Sequence, residues 1–189
     1  MLHLVRHGEV LNPHGLVYAD LPGFDLSDAG RTQAARAASV LADRPIRAVW
    51  SSPLLRAVRT AEAIAGSHRL AVRVDDDLVE WRLLTRWAGT PWADVPDRFP
   101  GELEAYLAHP DDLPFSPESL ARLAERVAGV ARRVAADTPG GDVVIVGHQD
   151  PLAAAERLLT GAGFAAFHDG KPDHAEVRSL QDGAPWRRT

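Results

Sequence analysis

Asp142-Val143-Val144-Ile145-Val146-Gly147-His148 is the stretch that decides the fold. Pro139-Gly140-Gly141 breaks the chain before it, and a helical pattern from Pro151 to Leu159 follows. An unbroken apolar run of this length reads as a strand buried on both faces, and such strands belong to parallel sheets covered by helices on each side. Ligands of such sheets collect beyond the carboxyl ends of the strands. His148, the first polar residue past this strand, is therefore a candidate site residue.

Working outward, Leu2 to Val5 is a second apolar run, and Arg6-His7-Gly8 stands at its end. Ile46 to Trp50 is another strand, leading into Ser51-Ser52-Pro53 and then Arg56. Leu70 to Val74 is followed by Asp75-Asp76-Asp77 and Glu80, and Val177 to Leu180 reads as a last strand. Helical patterns lie between them. Ser27 is placed as an N-cap before a stripe of Ala34, Ala38 and Leu41, which Arg44-Pro45 stops. Ser51-Ser52-Pro53 is expected to cap a helix reaching about Gly66, and Ser116 to about Thr138 carries Leu120, Leu123, Val127 and Val130 on one side. This alternation predicts an α/β three-layer sandwich, with a mostly parallel central sheet flanked by helices. Residues 82–115 break the rhythm with Trp87, Trp92 and the prolines Pro91, Pro96, Pro100 and Pro110. They are expected to form a small helical or irregular, cap-like insertion within a single domain of residues 1–189. Residues 185–189 are expected to be a loose tail.

A chain of 189 residues is one domain's worth. Its 21 basic and 26 acidic side chains leave a formal charge of −5, which argues against a nucleic-acid-coating or membrane-surface protein. There is no cysteine, so disulfides, thiolate metal sites and cysteine nucleophiles are excluded. Lys171 is the single lysine among the basic residues, so an arginine counts as evidence only in a specific context. The histidines outside the strand ends show no metal-ligand spacing and are expected to lie mostly on the surface. No stretch has the form of a secretory signal or approaches the roughly 18 apolar residues of a membrane helix, so a cytoplasmic protein is expected.

At the loaded strand ends the sequence resembles a family. Leu4-Val5-Arg6-His7-Gly8-Glu9 is similar to the signature of the histidine phosphatase superfamily, which includes the cofactor-dependent phosphoglycerate mutases. Leu26-Ser27-Asp28-Ala29-Gly30, Ser51-Ser52-Pro53-Leu54-Leu55-Arg56-Ala57, Leu78-Val79-Glu80, Pro117-Glu118-Ser119 and Val144-Ile145-Val146-Gly147-His148 resemble its further blocks, in order. The resemblance implies a phosphoglycerate mutase-like fold and phosphoryl transfer through a phosphohistidine, with no metal and no cofactor. His7 would be the nucleophile, Glu80 the proton donor to the leaving oxygen, and His148 a further catalytic donor. Arg6 and Arg56 would bind phosphate, since a guanidinium offers planar paired donors to an anion. Asn12 is a candidate phosphate donor one position before the family's usual asparagine. Asp75, Asp76, Asp77 and Glu9 compete with Glu80 for the acid role, and Tyr18, Arg82 and Arg86 are near enough in sequence to reach substrate.

Two places depart from the family pattern: the loop from Asn12 to Phe24, and Gln149-Asp150, where small residues often follow the histidine. The insertion is modest for a mutase, while the acid is retained. The expected function is therefore a phosphatase hydrolysing a small phosphorylated metabolite, with no nucleic-acid or membrane partner. A mutase-type isomerase and a non-catalytic phospholigand-binding protein are the alternatives, and a homodimer is left open.

Overall fold

The computed structural model describes residues 1–181, 183 and 185–189. The chain runs β1 (Leu2–Arg6), α1 (Asp28–Leu41), β2 (Ile46–Ser51), α2 (Leu55–His68) and β3 (Val72–Val74). Three short helices follow, α3 (Arg82–Thr85), α4 (Val95–Arg98) and α5 (Glu102–Ala108). Then come α6 (Leu120–Ala136), β4 (Asp142–Gly147), α7 (Gln149–Thr160), β5 (Val177–Gln181) and β6 (Arg187–Arg188).

The strands form one sheet in the order β3-β2-β4-β1-β5-β6. β1, β2, β3 and β4 are mutually parallel, whereas β5 is antiparallel to β1 and β6 to β5. β4 lies at the centre and every one of its residues is buried, as its apolar run predicts. Alternate side chains face opposite layers. Leu4, Val143 and Ile145 pack with α6 and α7, while Val5, Val144 and Val146 pack with α1 and α2. The α/β sandwich expected from the sequence is thus the observed architecture.

Local chemistry explains the boundaries. Ser27 Oγ accepts the Gly30 amide at 2.9 Å and Ser119 Oγ accepts that of Arg122, so both hydroxyls cap their helices. Ser51-Ser52-Pro53 does not cap α2, contrary to expectation. β2 extends through Ser51, which pairs with Val146 and Val74, and Ser51 Oγ donates to the Ser52 carbonyl. The helix begins only at Leu55, after an extended Leu54. α6 likewise starts after Ser116-Pro117-Glu118, because Ser116 Oγ closes a local turn by donating to the Glu118 carbonyl.

The expected loose tail is corrected as well. Arg187 and Arg188 pair with Gln181 and Leu180, and Trp186 is 8% exposed with its amide on the Leu159 carbonyl. One buried indole gives the segment the apolar area that its charged neighbours lack. Residues 82–115 hold three short helices and one 3₁₀ turn. Trp81 and Trp87, both fully buried, sit against Tyr106 and fasten this segment to the main core. Among the described residues no helix is long and apolar enough to cross a membrane.

Candidate active site

Strand register brings the two histidines together. Arg6 pairs with Gly147 across β1 and β4, and the ladder continues as the His7 amide donates to the Gly147 carbonyl at 2.9 Å. His7 and His148 therefore leave adjacent strands at the same end, with ring centroids 5.2 Å apart. Both are buried. On the other side of β4, Ser51 pairs with Val146 and the Ser52 amide donates to the Val146 carbonyl, which sets Ser52 beside His148.

The turn after His7 is held by close backbone approach. The Gly8 amide donates to Thr60 Oγ1 at 3.0 Å. A side chain on Gly8 would lie 2.5 Å from the Gly30 carbonyl oxygen, and one on Gly30 would lie 2.0 Å from that of Glu9. Two glycines are needed for the first strand end to rest on α1.

The tautomer of His7 follows from its neighbour. Its Nδ1 is 2.7 Å from the Gly8 carbonyl, so Nδ1–H donates and Nε2 carries the lone pair. Burial, then Arg56 beside it, holds the imidazole well below the usual histidine range. It is neutral at physiological pH, as a nucleophile must be. His148 is likewise held well below that range by burial and by Arg56. Its Nε2 lies 2.8 Å from Ser52 Oγ, and its Nδ1 has no protein partner.

Arg6 precedes His7 at the end of β1, and Arg56 stands in the first turn of α2. Arg6 is anchored by Nη1 donating to the Pro172 carbonyl at 3.0 Å and Nη2 donating to His174 Nε2 at 2.9 Å. Arg56 is fully buried; it donates to the Ala19 carbonyl at 2.6 Å and its guanidinium lies 4.6 Å from the centre of the Tyr18 ring. Ala19 holds a positive φ of 37°, a conformation a non-glycine residue adopts at a cost, and thereby delivers that carbonyl. The Nε groups of both arginines and Nδ1 of His148 are buried without a protein partner. Buried N–H groups are almost always paired, so these suit an anion that accepts from them.

Glu80 follows the 3₁₀ turn Asp76–Leu78 beyond β3 and is 9% exposed. Its Oε1 accepts the Trp81 amide at 2.8 Å and its Oε2 lies 3.9 Å from His148 Nδ1. Burial first, and Asp150 second, push its carboxyl up to about 7. Arg126 braces this segment by pairing with Glu118 and donating to the Asp77 and Val79 carbonyls. The competing carboxylates are otherwise engaged or exposed: Glu9 accepts from Ser27 Oγ, Asp75 from the Asp77 amide and Arg133, and Asp76 and Asp77 face outward.

The structure thus gathers Arg6, His7, Arg56, Glu80 and His148. It does not bring Asn12 to the same cluster. The Asn12 carboxamide donates to the Leu16 carbonyl and accepts the Leu16 amide, bracing its own loop. Arg86 is paired with Glu102 and Arg82 is exposed. A cavity of about 160 Å³ opens beside Arg6, His7, Glu80, Tyr18, Tyr106 and Asp150. Tyr106, Asp150, Ser52 and His174 were not legible as site residues, and His174 was expected on the surface. Gln149-Asp150 stood out as a departure from the family pattern near the expected substrate mouth, without an assigned role.

A sheet edge that gathers two neutral imidazoles, two arginines and a carboxyl has the groups that phosphoryl transfer through an imidazole requires. The chain belongs to the histidine phosphatase superfamily (branch 1), whose profile matches residues 2–183. It is 40% identical to an uncharacterized protein of Mycobacterium tuberculosis over 182 residues, covering 95% of this chain and 87% of that one. It is 32% identical to phosphoserine phosphatase 1 of Hydrogenobacter thermophilus, covering 92% and 82% of the two chains. The structure of mycobacterial glucosyl-3-phosphoglycerate phosphatase in complex with VO3 superposes with a TM-score of 0.86 at 30% identity, covering 100% of this chain and 96% of that one. The enzyme is a phosphomonoesterase.

Proposed function

We propose that the protein hydrolyses the phosphate ester of a small metabolite through a phosphohistidine on His7. The observation that carries the reading is the fixed, neutral His7. Its Nδ1–H is tied to the Gly8 carbonyl at 2.7 Å, leaving Nε2 free to attack. In the first step the Nε2 lone pair forms the N–P bond as the ester P–O bond breaks. Glu80, with a carboxyl near 7, gives its proton to the departing alkoxide. In the second step water attacks phosphorus, the Glu80 carboxylate takes its proton, and the N–P bond breaks with its electron pair returning to Nε2. Arg6, Arg56 and the Nδ1–H of His148 hold the phosphoryl oxygens in both steps, a role their buried, unpartnered N–H groups support.

Asn12 acts in this reading as a brace of its loop rather than a phosphate ligand. Residues 82–115 act as a cap of the single domain, since Leu84, Trp92 and Tyr106 line the cavity. The cavity volume of about 160 Å³ supports a small substrate, and the relatives named for phosphoserine and glucosyl-3-phosphoglycerate act on small phosphate esters. A cytoplasmic location fits a substrate of that kind.

The test is rapid trapping in alkaline detergent with a ³²P-labelled aryl phosphate. Wild type is expected to carry acid-labile, base-stable label, and His7→Ala to carry none and release no phosphate. Full turnover in His7→Ala overturns the reading, and exchange of phosphate between two hydroxyls without net hydrolysis replaces it with an isomerase.

A further inference from the structure

The cavity next to His7 is electrostatically lopsided. Arg6, with Arg56 beside it, supplies cationic charge at the His7 end, while the cavity wall beyond carries Asp150 next to Glu80. Asp150 is 3% exposed and stands in the first turn of α7, two residues after His148. It is held rigidly. Its Oδ2 accepts the Tyr106 hydroxyl at 2.8 Å, and its Oδ1 accepts Lys171 Nζ. Lys171 Nζ also donates to the Tyr106 hydroxyl at 3.0 Å and lies 4.7 Å from the centre of the Phe167 ring. The lysine therefore sits behind the carboxylate, among aromatic rings. It anchors Asp150 and does not itself line the cavity.

We propose that Asp150 sets the substrate class: a phosphate ester of a small alcohol bearing a neighbouring hydroxyl or ammonium donor and no carboxylate. This rests on the phosphatase reading above. Each Asp150 oxygen retains a second lone pair for a substrate donor after its bond to Tyr106 or Lys171. A substrate carboxylate at the same place would face the buried Asp150 carboxylate, where like charges repel, and the protonated Glu80 beside it supplies no compensating cation. Specificity here is achieved by an element that repels the wrong ligand as well as one that accepts the right one. The remaining wall combines apolar Val17, Ala19, Leu84 and Trp92 with the neutral Tyr18 and Gln149, and so offers no cation to such a carboxylate.

Two matched pairs of substrates test this. Glycerol 3-phosphate and 3-phosphoglycerate differ only by a hydroxymethyl against a carboxylate. Ethanolamine phosphate and phosphoserine differ only by a hydrogen against a carboxylate. Wild type is expected to favour the first member of each pair in kcat/KM by about tenfold or more. The ratio within a pair cancels any general change in catalysis, so it reads Asp150 alone. Asp150→Asn is expected to shrink both ratios, and Lys171→Met, assayed on the alkaline side where the carboxylate remains ionised without its counter-charge, to widen them. Thermal melts establish that each variant is folded, and if Asp150→Asn is not, the Lys171→Met ratios carry the test. The two favoured esters also separate a hydroxyl donor from an ammonium donor. A wild-type preference for the carboxylate members, or ratios unmoved in the folded variants, overturns the proposal while leaving the phosphatase reading intact. No hydrolysis of any ester, the aryl phosphate included, and no trapped phosphohistidine would instead overturn both.

Discussion

Ser52 Oγ lies 2.8 Å from Nε2 of His148, and this contact orients the second imidazole with Nδ1 toward Glu80. With Nε2 accepting from the hydroxyl, the proton resides on Nδ1, which has no protein partner and points toward Glu80 at 3.9 Å. Ser52 thus acts through His148 as a positioning residue. Its own place is fixed by β2, whose ladder carries its amide onto the Val146 carbonyl.

Ser52→Ala is therefore expected to lower kcat on the order of tenfold with a smaller change in KM, the cost of one buried hydrogen bond that selects a tautomer. Ser52→Thr keeps the hydroxyl and is expected to restore most of the rate. Steady-state kinetics of the three proteins check this. Equal kcat in wild type and Ser52→Ala would show that the tautomer is fixed by something else.

The rate should respond to pH through Glu80. Its carboxyl sits at about 7, so the proton donor is progressively lost as pH rises through neutrality. His7, held well below the usual range, stays neutral and nucleophilic far into the acid side. For an alkyl phosphate, whose alkoxide must be protonated to leave, kcat/KM is expected to fall above about pH 7. Glu80→Gln removes that descending limb. With an aryl phosphate, whose leaving group needs little help, the same variant is expected to form phosphohistidine and then stall, because no base activates water. A rapid-quench burst in Glu80→Gln with an aryl phosphate is the expected observation; an alkyl-phosphate profile flat across neutrality in wild type would deny Glu80 the acid role.

The same residue makes a prediction for stability. A carboxyl raised from 4.5 to about 7 binds its proton more tightly in the native state than in the unfolded chain. The native state is then favoured most below pH 4.5 and loses that advantage as pH climbs toward 7, by roughly 3 kcal/mol at the most. His7 and His148 act in the opposite sense, since both are lowered and their protonation favours unfolding below their usual 6.5. The difference between wild type and Glu80→Gln isolates the carboxyl from the histidines. Glu80→Gln is expected to be the more stable protein at pH 8 in denaturant titration and to lose that gain near pH 4. A gain independent of pH would mean the carboxyl is not strained by its burial.

What the sequence revealed and what it hid divide along physical lines. Arg6, His7 and His148 could be read because each follows an apolar run, and the strand ends of a parallel sheet lie on one edge, whereas Glu80 stood out from its neighbouring carboxylates only by its place in the family's block. Arg56 was legible only through its neighbours, since the chain has so many arginines. Asp150, Tyr106 and Lys171 form one cluster from positions far apart in the chain, and no local pattern announces such a contact. The start of α2 was misplaced because Ser51 and Ser52 are good cap residues by propensity, yet the sheet and His148 claim them. Arg187 and Arg188 looked like a polar tail because two charged residues carry no apolar alternation to announce their pairing with Leu180 and Gln181.

His174 belongs with the hidden residues, and it holds Arg6 directly. Arg6 Nη2 donates to His174 Nε2 at 2.9 Å, which requires a neutral imidazole with its proton on Nδ1. Burial, then the Arg6 guanidinium itself, lowers the His174 pKa and keeps it in that form. His174 and the Pro172 carbonyl tether the guanidinium beside His7, where the proposed mechanism needs it. Cutting one frees Arg6 to rotate, so the phosphoryl group must reorder it on binding. His174→Ala is expected to raise KM and the inhibition constant for inorganic phosphate together, each on the order of tenfold, with a smaller effect on kcat. His174→Gln, whose side-chain oxygen can accept from Nη2, is expected to recover part of both. Because phosphate inhibition reports the anion site without chemistry, a KM change with an unaltered phosphate constant would mean that His174 acts on the rest of the substrate and not through Arg6.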